Sequence, residues 1–342
     1  MSDVQYLVEL TPGGQTFTCD EDETILDGAL RQGIELLYGC RHGRCSTCKY
    51  LIEDGEIDVG EVTAYALPDN ERDAGWALLC RARPLSDVLI RDHRLPDQRA
   101  LPVLAPSSFA GEVAGVAQLT PELWELQVAL PAVLHFYAGQ FVELGLDTGN
   151  GNGMVWRNYS MASPPSSQRR LKFVMKRIVA GAFSGAIEQL QVGQAVAVRG
   201  PFGASYLRHG ARPVLLCAIG SGIAPIMAML RDAGQRRDTR PFALYYGARR
   251  PEDLPYLDEL RSGFGLQLDF VATLDGLADG EAWSGATGTV TRAVQHAVEN
   301  ARDIDAYLCG APPMCETVSR LLSAKGLPAE QLYFDRFFAA SA

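Results

Sequence analysis

Long apolar runs are missing from these 342 residues. None approaches the ~20 residues that cross a bilayer as a helix, and no basic stretch followed by an apolar core opens the chain as a leader would. A cytoplasmic protein with no membrane partner is expected. Lys/Arg-rich stripes are also missing, which speaks against nucleic acid as a partner. Internal repeats and low-complexity tracts are absent, so neither a solenoid nor a disordered tail is expected. What is present is a chain of 47% hydrophobic residues, long enough for two or three packed domains. Its formal net charge of -10 is uneven: residues 1–95 carry 18 Asp and Glu against 9 Lys and Arg, and the remainder is nearly balanced. The acidic part suits either solubility or steering onto a basic partner.

Eight cysteines in such a chain point to metal ligation or chemistry more than to disulfides. Cys40, Cys45 and Cys48 stand at C-x4-C-x2-C spacing and Cys80 follows alone. That is the plant-type pattern by which four thiolates hold a [2Fe–2S] cluster and pass one electron at a time. Gly39, Gly43, Ser46 and Thr47 are small enough for the backbone to curl around sulfur and aim N–H groups at it. Zinc also accepts four Cys, but usually through short knuckles on both sides. A Rieske centre needs a second Cys–His element, which the sequence lacks. Of the other thiols, Cys217 lies in an apolar run and reads as an inert buried residue, and Cys19 and Cys315 carry no reading.

Three textures follow one another. Residues 1–93 offer a hairpin around Pro12-Gly13-Gly14, a helix from about Thr24 to Arg31 and the cysteine loop, which suits a β-grasp ferredoxin domain. Residues 94–107 hold three prolines without apolar periodicity and read as a linker. Residues 108–207 contain short strand-like runs at 123–128, 140–146, 171–176 and 195–199, the density of an antiparallel β-barrel. Residues 208–342 alternate strands (214–219, 242–246, 266–272) with helices (226–232, 256–261), which predicts a parallel α/β sheet.

In the middle texture, Arg157, Asn158, Tyr159 and Ser160 end a strand. Arg157 and Tyr159 share one face of an extended segment, where an arginine can fork onto phosphate while a tyrosine lies against a flat ring. Ser160, on the other face, can hydrogen-bond the redox-active edge of an isoalloxazine. Gly181 and Ser184, in Ala180-Gly181-Ala182-Phe183-Ser184 before a helix at 186–190, offer backbone N–H groups to a pyrophosphate. Gly200-Pro201-Phe202-Gly203 reads as a tight turn.

In the last texture, Gly220, Gly222 and Pro225 form a G-x-G-x-x-P turn between an apolar strand and a helix, where a dinucleotide can approach the backbone. The motif departs from G-x-G-x-x-G, so the Rossmann fingerprint proper is not matched. Cys309 and Gly310 follow a second apolar strand, at the edge of the sheet where ligands of open α/β sheets bind.

Cluster, flavin and nicotinamide motifs in this order resemble the ferredoxin–NAD(P)H reductase components of bacterial multicomponent oxygenases over essentially the whole chain. Gly75-Trp76-Ala77-Leu78-Leu79-Cys80-Arg81 and Cys45-Ser46-Thr47-Cys48-Lys49 look most like the reductases of soluble di-iron monooxygenases, which oxidise methane, propane, alkenes and phenol. The resemblance implies that Arg157, Tyr159 and Ser160 bind FAD, with Gly181 and Ser184 at its pyrophosphate; Asn158 and Lys176 are counted with them. It implies that Gly220, Gly222 and Pro225 hold the NAD(P)H phosphates and that Cys309 and Gly310 flank the nicotinamide. Asp335 and Phe337 stand where the family places an acid and an aromatic near the flavin, although Asp replaces the commoner Glu. Ser160, Cys309 and Asp335 are the candidate catalytic residues. The implied function is passage of electrons from NADH, or NADPH, through FAD and the cluster to an oxygenase (hydroxylase) partner. Alternatives are a reductase of a Rieske dioxygenase and a flavin and iron–sulfur redox sensor. Arg249 and Arg250, with no carboxylate beside them, leave room for the 2′-phosphate of NADPH, while NADH is the family's usual donor.

Overall fold

The computed structural model describes residues 4–93, 99–147, 153–179, 181–277 and 282–338. It divides into two units, Met1–Pro106 and Ser107–Ala342.

In the first unit, β1 (Gln5–Thr11) and β2 (Gln15–Asp20) form the expected antiparallel hairpin, closed by Gly14 at φ 65°. Alternate residues Val8, Leu10, Phe17 and Cys19 point inward, as a half-buried sheet requires. Helix α1 (Ile25–Arg31) starts at Thr24, whose hydroxyl accepts the Asp27 N–H at 3.2 Å. It buries Ile25, Leu26, Ala29 and Leu30. After the cysteine loop come β3 (Lys49–Asp54), β4 (Ile57–Asp58), the short α2 (Asp69–Asp73), β5 (Trp76–Leu78), β6 (Arg83–Pro84) and β7 (Val88–Arg91). The main sheet runs β2-β1-β7-β3-β5, with β1 and β7 parallel and the other pairs antiparallel, giving the expected β-grasp.

The second unit begins with β8 (Ser107–Gln118), β9 (Leu123–Ala129), β10 (Phe141–Asp147), β11 (Met154–Ser160), β12 (Arg170–Lys176) and β13 (Ala195–Phe202). Their order is β11-β10-β13-β8-β9-β12, antiparallel throughout. A single bridge between Met161 and Phe173 closes the sheet into a barrel. Leu126, Val128, Leu144, Phe173 and Val198 fill its interior.

The remainder is a parallel sheet ordered β17-β16-β15-β14-β18-β19. Its elements in chain order are β14 (Val214–Ile219), α3 (Ile223–Gln235), β15 (Pro241–Ala248), α4 (Leu257–Ser262), β16 (Gln267–Leu274), β17 (Ala286–Thr287), α5 (Val290–Ala297), β18 (Asp305–Gly310), α6 (Pro312–Ala324) and β19 (Leu332–Arg336). Strand order reverses between β14 and β18, the crevice where open α/β sheets bind ligands. Both strands are buried almost end to end, because apolar cores lie on the two faces of the sheet.

Several local expectations are corrected. Helix α3 begins at Ile223, three residues before the expected start, since Pro225 sits in a first turn where its missing N–H costs nothing. The expected helix at 186–190 is a 3-10 segment, Ser184–Gln189. Gly200, Pro201 and Phe202 extend β13 instead of forming a turn. Residue 107 already belongs to β8, while residues 94–98 of the expected linker, and Ala180, lie outside the described residues.

Candidate functional site

The cysteine loop is built to hold negative sulfur. Arg41, Gly43 and Ser46 adopt φ of 61°, 69° and 59°, and such left-handed steps turn successive backbone N–H groups inward. The Cys40 N–H lies 3.3 Å from Cys45 Sγ, and the His42 N–H 3.4 Å from Cys40 Sγ. Hydrogen bonding from the Cys40 thiol, joined by the Thr47 hydroxyl and backbone, brings Cys45 down to about 5 against the opposing effect of burial. The Cys48 thiol and the Gly43 N–H likewise lower Cys80. Cys40 and Cys48, the donors of these pairs, are raised. Among the described residues no three His, Cys, Asp or Glu side chains gather as ligands of one ion. The thiols lie in two hydrogen-bonded pairs, Cys40 with Cys45 and Cys48 with Cys80. Gly39 packs closely here: a Cβ would stand 3.2 Å from both Cys45 Sγ and Thr47 Oγ1. The donor set and the ring of N–H groups therefore fit a [2Fe–2S] cluster.

In the second unit, β11 carries the expected flavin residues along an edge of the barrel sheet. Tyr159 packs on Phe183, ring centroids 5.2 Å apart, and burial raises its hydroxyl pKa far above the usual tyrosine range. Arg157 donates to the Trp156 carbonyl at 2.8 Å. Ser160 Oγ donates to Asp335 Oδ2 at 2.7 Å, so the barrel strand and β19, far apart in sequence, meet through these two side chains. Gly181 leaves no room for a side chain, since a Cβ would lie 2.7 Å from Ser184 Oγ. Lys176 turns its ammonium to Glu122 at 2.7 Å, an exposed pair.

The dinucleotide turn is tighter still. A Cβ on Gly222 would stand 2.1 Å from the Cys309 carbonyl oxygen, so only glycine lets the β14–α3 turn pass over β18. Gly220 has φ 52°, and nothing lies within 4 Å of where its Cβ would be, which leaves open space for a ligand. Tyr246 donates its hydroxyl to the Gly220 carbonyl at 2.9 Å and fixes the turn, a support that the sequence motif does not reveal. Cys309 is wholly buried, and burial, then the Asp335 charge, pushes its thiol pKa well up. Cys309 pairs with Asp335 across β18 and β19, and the Phe337 N–H donates to the Gly310 carbonyl at 2.8 Å. Ser160, Asp335, Cys309, Gly310, Gly222 and Phe337 thus converge, while Lys176 is engaged elsewhere. A glycine turn with open space beside it, and a serine that shares a hydrogen bond with the carboxylate opposite Cys309, suit flavin and nicotinamide.

Three domain families match the chain in this order: the 2Fe-2S iron-sulfur cluster binding domain at residues 8–85, the oxidoreductase FAD-binding domain at 112–206 and the oxidoreductase NAD-binding domain at 215–320. The reductase component of propane 2-monooxygenase from Mycolicibacterium smegmatis is 36% identical over 326 residues, covering 93% of this chain and 92% of that one. The phenol 2-monooxygenase reductase component of Pseudomonas sp. (strain CF600) is 34% identical over 346 residues, covering 99% and 96%. Among solved structures, the Amycolatopsis cytochrome P450 reductase GcoB superposes with a TM-score of 0.85 at 28% identity, covering 98% of this chain and 100% of that one. Likeness over nearly the full length of both chains, together with the three domain matches along this chain, makes this protein an oxidoreductase of the oxygenase reductase component family.

Proposed function

We propose that Arg157, Asn158, Tyr159 and Ser160 of β11 bind FAD, with Gly181 and Ser184 at its pyrophosphate and Phe337 near its ring. In this reading Gly220, Gly222 and Pro225 hold the phosphates of the nicotinamide dinucleotide, Cys309 and Gly310 flank its nicotinamide, and Cys40, Cys45, Cys48 and Cys80 ligate the cluster. The domains are taken as 1–93, 108–207 and 208–342. The observation that carries the reading is the Ser160–Asp335 hydrogen bond of 2.7 Å, which joins the flavin strand to the strand beside Cys309. When bound, FAD accepts a hydride and releases electrons singly, and the cluster passes them on one at a time. The chain's own residues orient and exclude. Ser160 keeps a proton on Oγ, shared with the Asp335 carboxylate. Cys309 and Tyr159, with pKa raised by burial, stay neutral at pH 7 and place no charge beside the site.

The electron acceptor is proposed to be the oxygenase component of a multicomponent monooxygenase, in the cytoplasm, with NADH as donor. Relatives named for propane and phenol monooxygenases support this acceptor. A second acceptor, a cytochrome P450, is favoured by the structural likeness to GcoB. Arg249, exposed at the end of β15, makes NADPH the second arm of the donor test. The anaerobic visible spectrum before and after each nucleotide is the deciding experiment. Flavin and iron–sulfur bands that bleach together with NADH support the reading. A protein that holds no iron and sulfide after anaerobic purification, or that neither nucleotide reduces, overturns it.

A further inference from the structure

A closed ring of polar contacts that neither proposed nucleotide site uses joins the barrel to the helices of the parallel sheet. Arg231 lies on α3, eight residues beyond the first residue of the helix and so about 12 Å along its axis. Its guanidinium forks onto Glu259 of α4, with both N···O distances 2.7 Å, and donates through Nη1 to the carbonyl of Ala162 at 2.7 Å. Ala162 is two residues past Ser160, on the segment that closes the barrel. Its own N–H donates to the Lys172 carbonyl at 2.7 Å, and Lys172 Nζ pairs with Glu125 at 3.1 Å. Glu125, only 5% exposed, accepts the Tyr256 hydroxyl at 2.6 Å. Tyr256 precedes α4, which closes the ring at Glu259. Its backbone sits at φ 56°, ψ 26°, a conformation that a bulky side chain keeps only where its surroundings hold it. The Arg231 guanidinium also lies over the Tyr256 ring at 5.1 Å.

We propose that Arg231 is a positioning residue: it fixes the helix that starts at the dinucleotide turn to the backbone two residues past the flavin strand, and so sets the approach of nicotinamide to flavin. This rests on the assignment of those two sites given above. Helix α3 is rigid between Gly222 and Arg231, so a shift at the turn is carried to Ala162 and from there to Ser160. A bidentate arginine with a third bond to a carbonyl resists both sliding and rotation, which a lysine with one point charge does not. Hydride transfer is sensitive to such shifts, since misplacement by about 1 Å costs on the order of a hundredfold in rate.

The test uses the full-length holoprotein and two variants, Arg231→Lys and Tyr256→Phe. Anaerobic stopped-flow reduction of the flavin at rising NADH separates the limiting rate from the apparent dissociation constant. Hydrogen exchange at residues 161–163 is followed with and without NAD⁺. We expect Arg231→Lys to lower the limiting rate roughly tenfold, with the apparent dissociation constant nearly unchanged and FAD stoichiometry kept. NAD⁺ should slow exchange at these residues in the parent protein and not in Arg231→Lys. Tyr256→Phe, which removes one hydroxyl, should show the same effects more weakly and carries the test if Arg231→Lys loses FAD. An unchanged limiting rate, or an exchange response preserved in the variants, overturns the proposal. A parent protein that neither NADH nor NADPH reduces refutes the site assignment instead, and the exchange response to NAD⁺ still decides whether the ring couples.

Discussion

Cys45 lies in the thiol loop, where it receives hydrogen bonds from Cys40 and Thr47. Replacing it with serine is expected to abolish the iron–sulfur absorbance while leaving NADH reduction of the flavin intact, since the two lie in different units. Loss of flavin reduction in the purified variant would contradict this division. Gly222→Ala acts by a different route. The new methyl would overlap a backbone carbonyl at 2.1 Å, which no rotamer relieves, and a cost of roughly 1–3 kcal/mol is expected for such overpacking. Urea unfolding checks the stability, and NADH titration should show weakened binding. The cysteines and glycines were legible in the sequence because their chemistry is written in local spacing. Arg231 was not: its partners lie 28 and 69 residues away, and within its own helix it looks like any polar residue ending an apolar run.

At the scale of elements, α1 depends on its cap. Thr24→Ala should cost about 1 kcal/mol, measurable by denaturant unfolding, and should loosen the cysteine loop, because Asp27 of the same first turn holds Arg41 at 2.6 Å. Between β9 and α4, burial pushes the Glu125 carboxyl up, but bonds from Tyr256 and Gln127 and the Lys172 charge bring it below the usual carboxylate range. A folded pKa below the unfolded one means that its stabilisation is present above the unfolded value and is lost as pH falls through the folded value. Glu125→Gln is therefore expected to melt below the parent at pH 7, with the gap closing as pH drops below about 4. A gap that stays constant from pH 7 to 3 would remove Glu125 from the ionised network. Strands were readable from their apolar runs, with β14 matching at both ends. The ends of helices and turns were less so. Prolines stand inside or at the start of α3 and α6, where they fit a first turn, and Gly200-Pro201 continues a strand whose pairing to β8 only the folded sheet reveals.

For the whole molecule, charge is the property that acts at a distance. The acidic residues 1–95 should speed encounter with a basic acceptor, and salt should weaken this, since the screening length is about 8 Å at 0.15 M. With cytochrome c as a basic probe acceptor, turnover is expected to fall several-fold as salt rises, while reduction of anionic ferricyanide should hold or increase. Equal salt response for both probes would show that the acidity serves solubility alone. The order of the three domains was plain from the changes of texture along the sequence, whereas the way the barrel closes was not, because the closing contact is one pair, Met161 and Phe173.

That single closing pair leaves β11 laddered to β10 on one side and, among the described residues, bridged to β12 at one position on the other. The strand assigned to the flavin is therefore also the barrel's open margin, and an open margin is a template on which a second chain can add a strand. A flat cofactor lying along it would act as a guard. Stripping FAD should then do more than silence the protein: it should make it self-associate, so that the flavin-free form elutes early on a sizing column and returns to its original volume when FAD is restored.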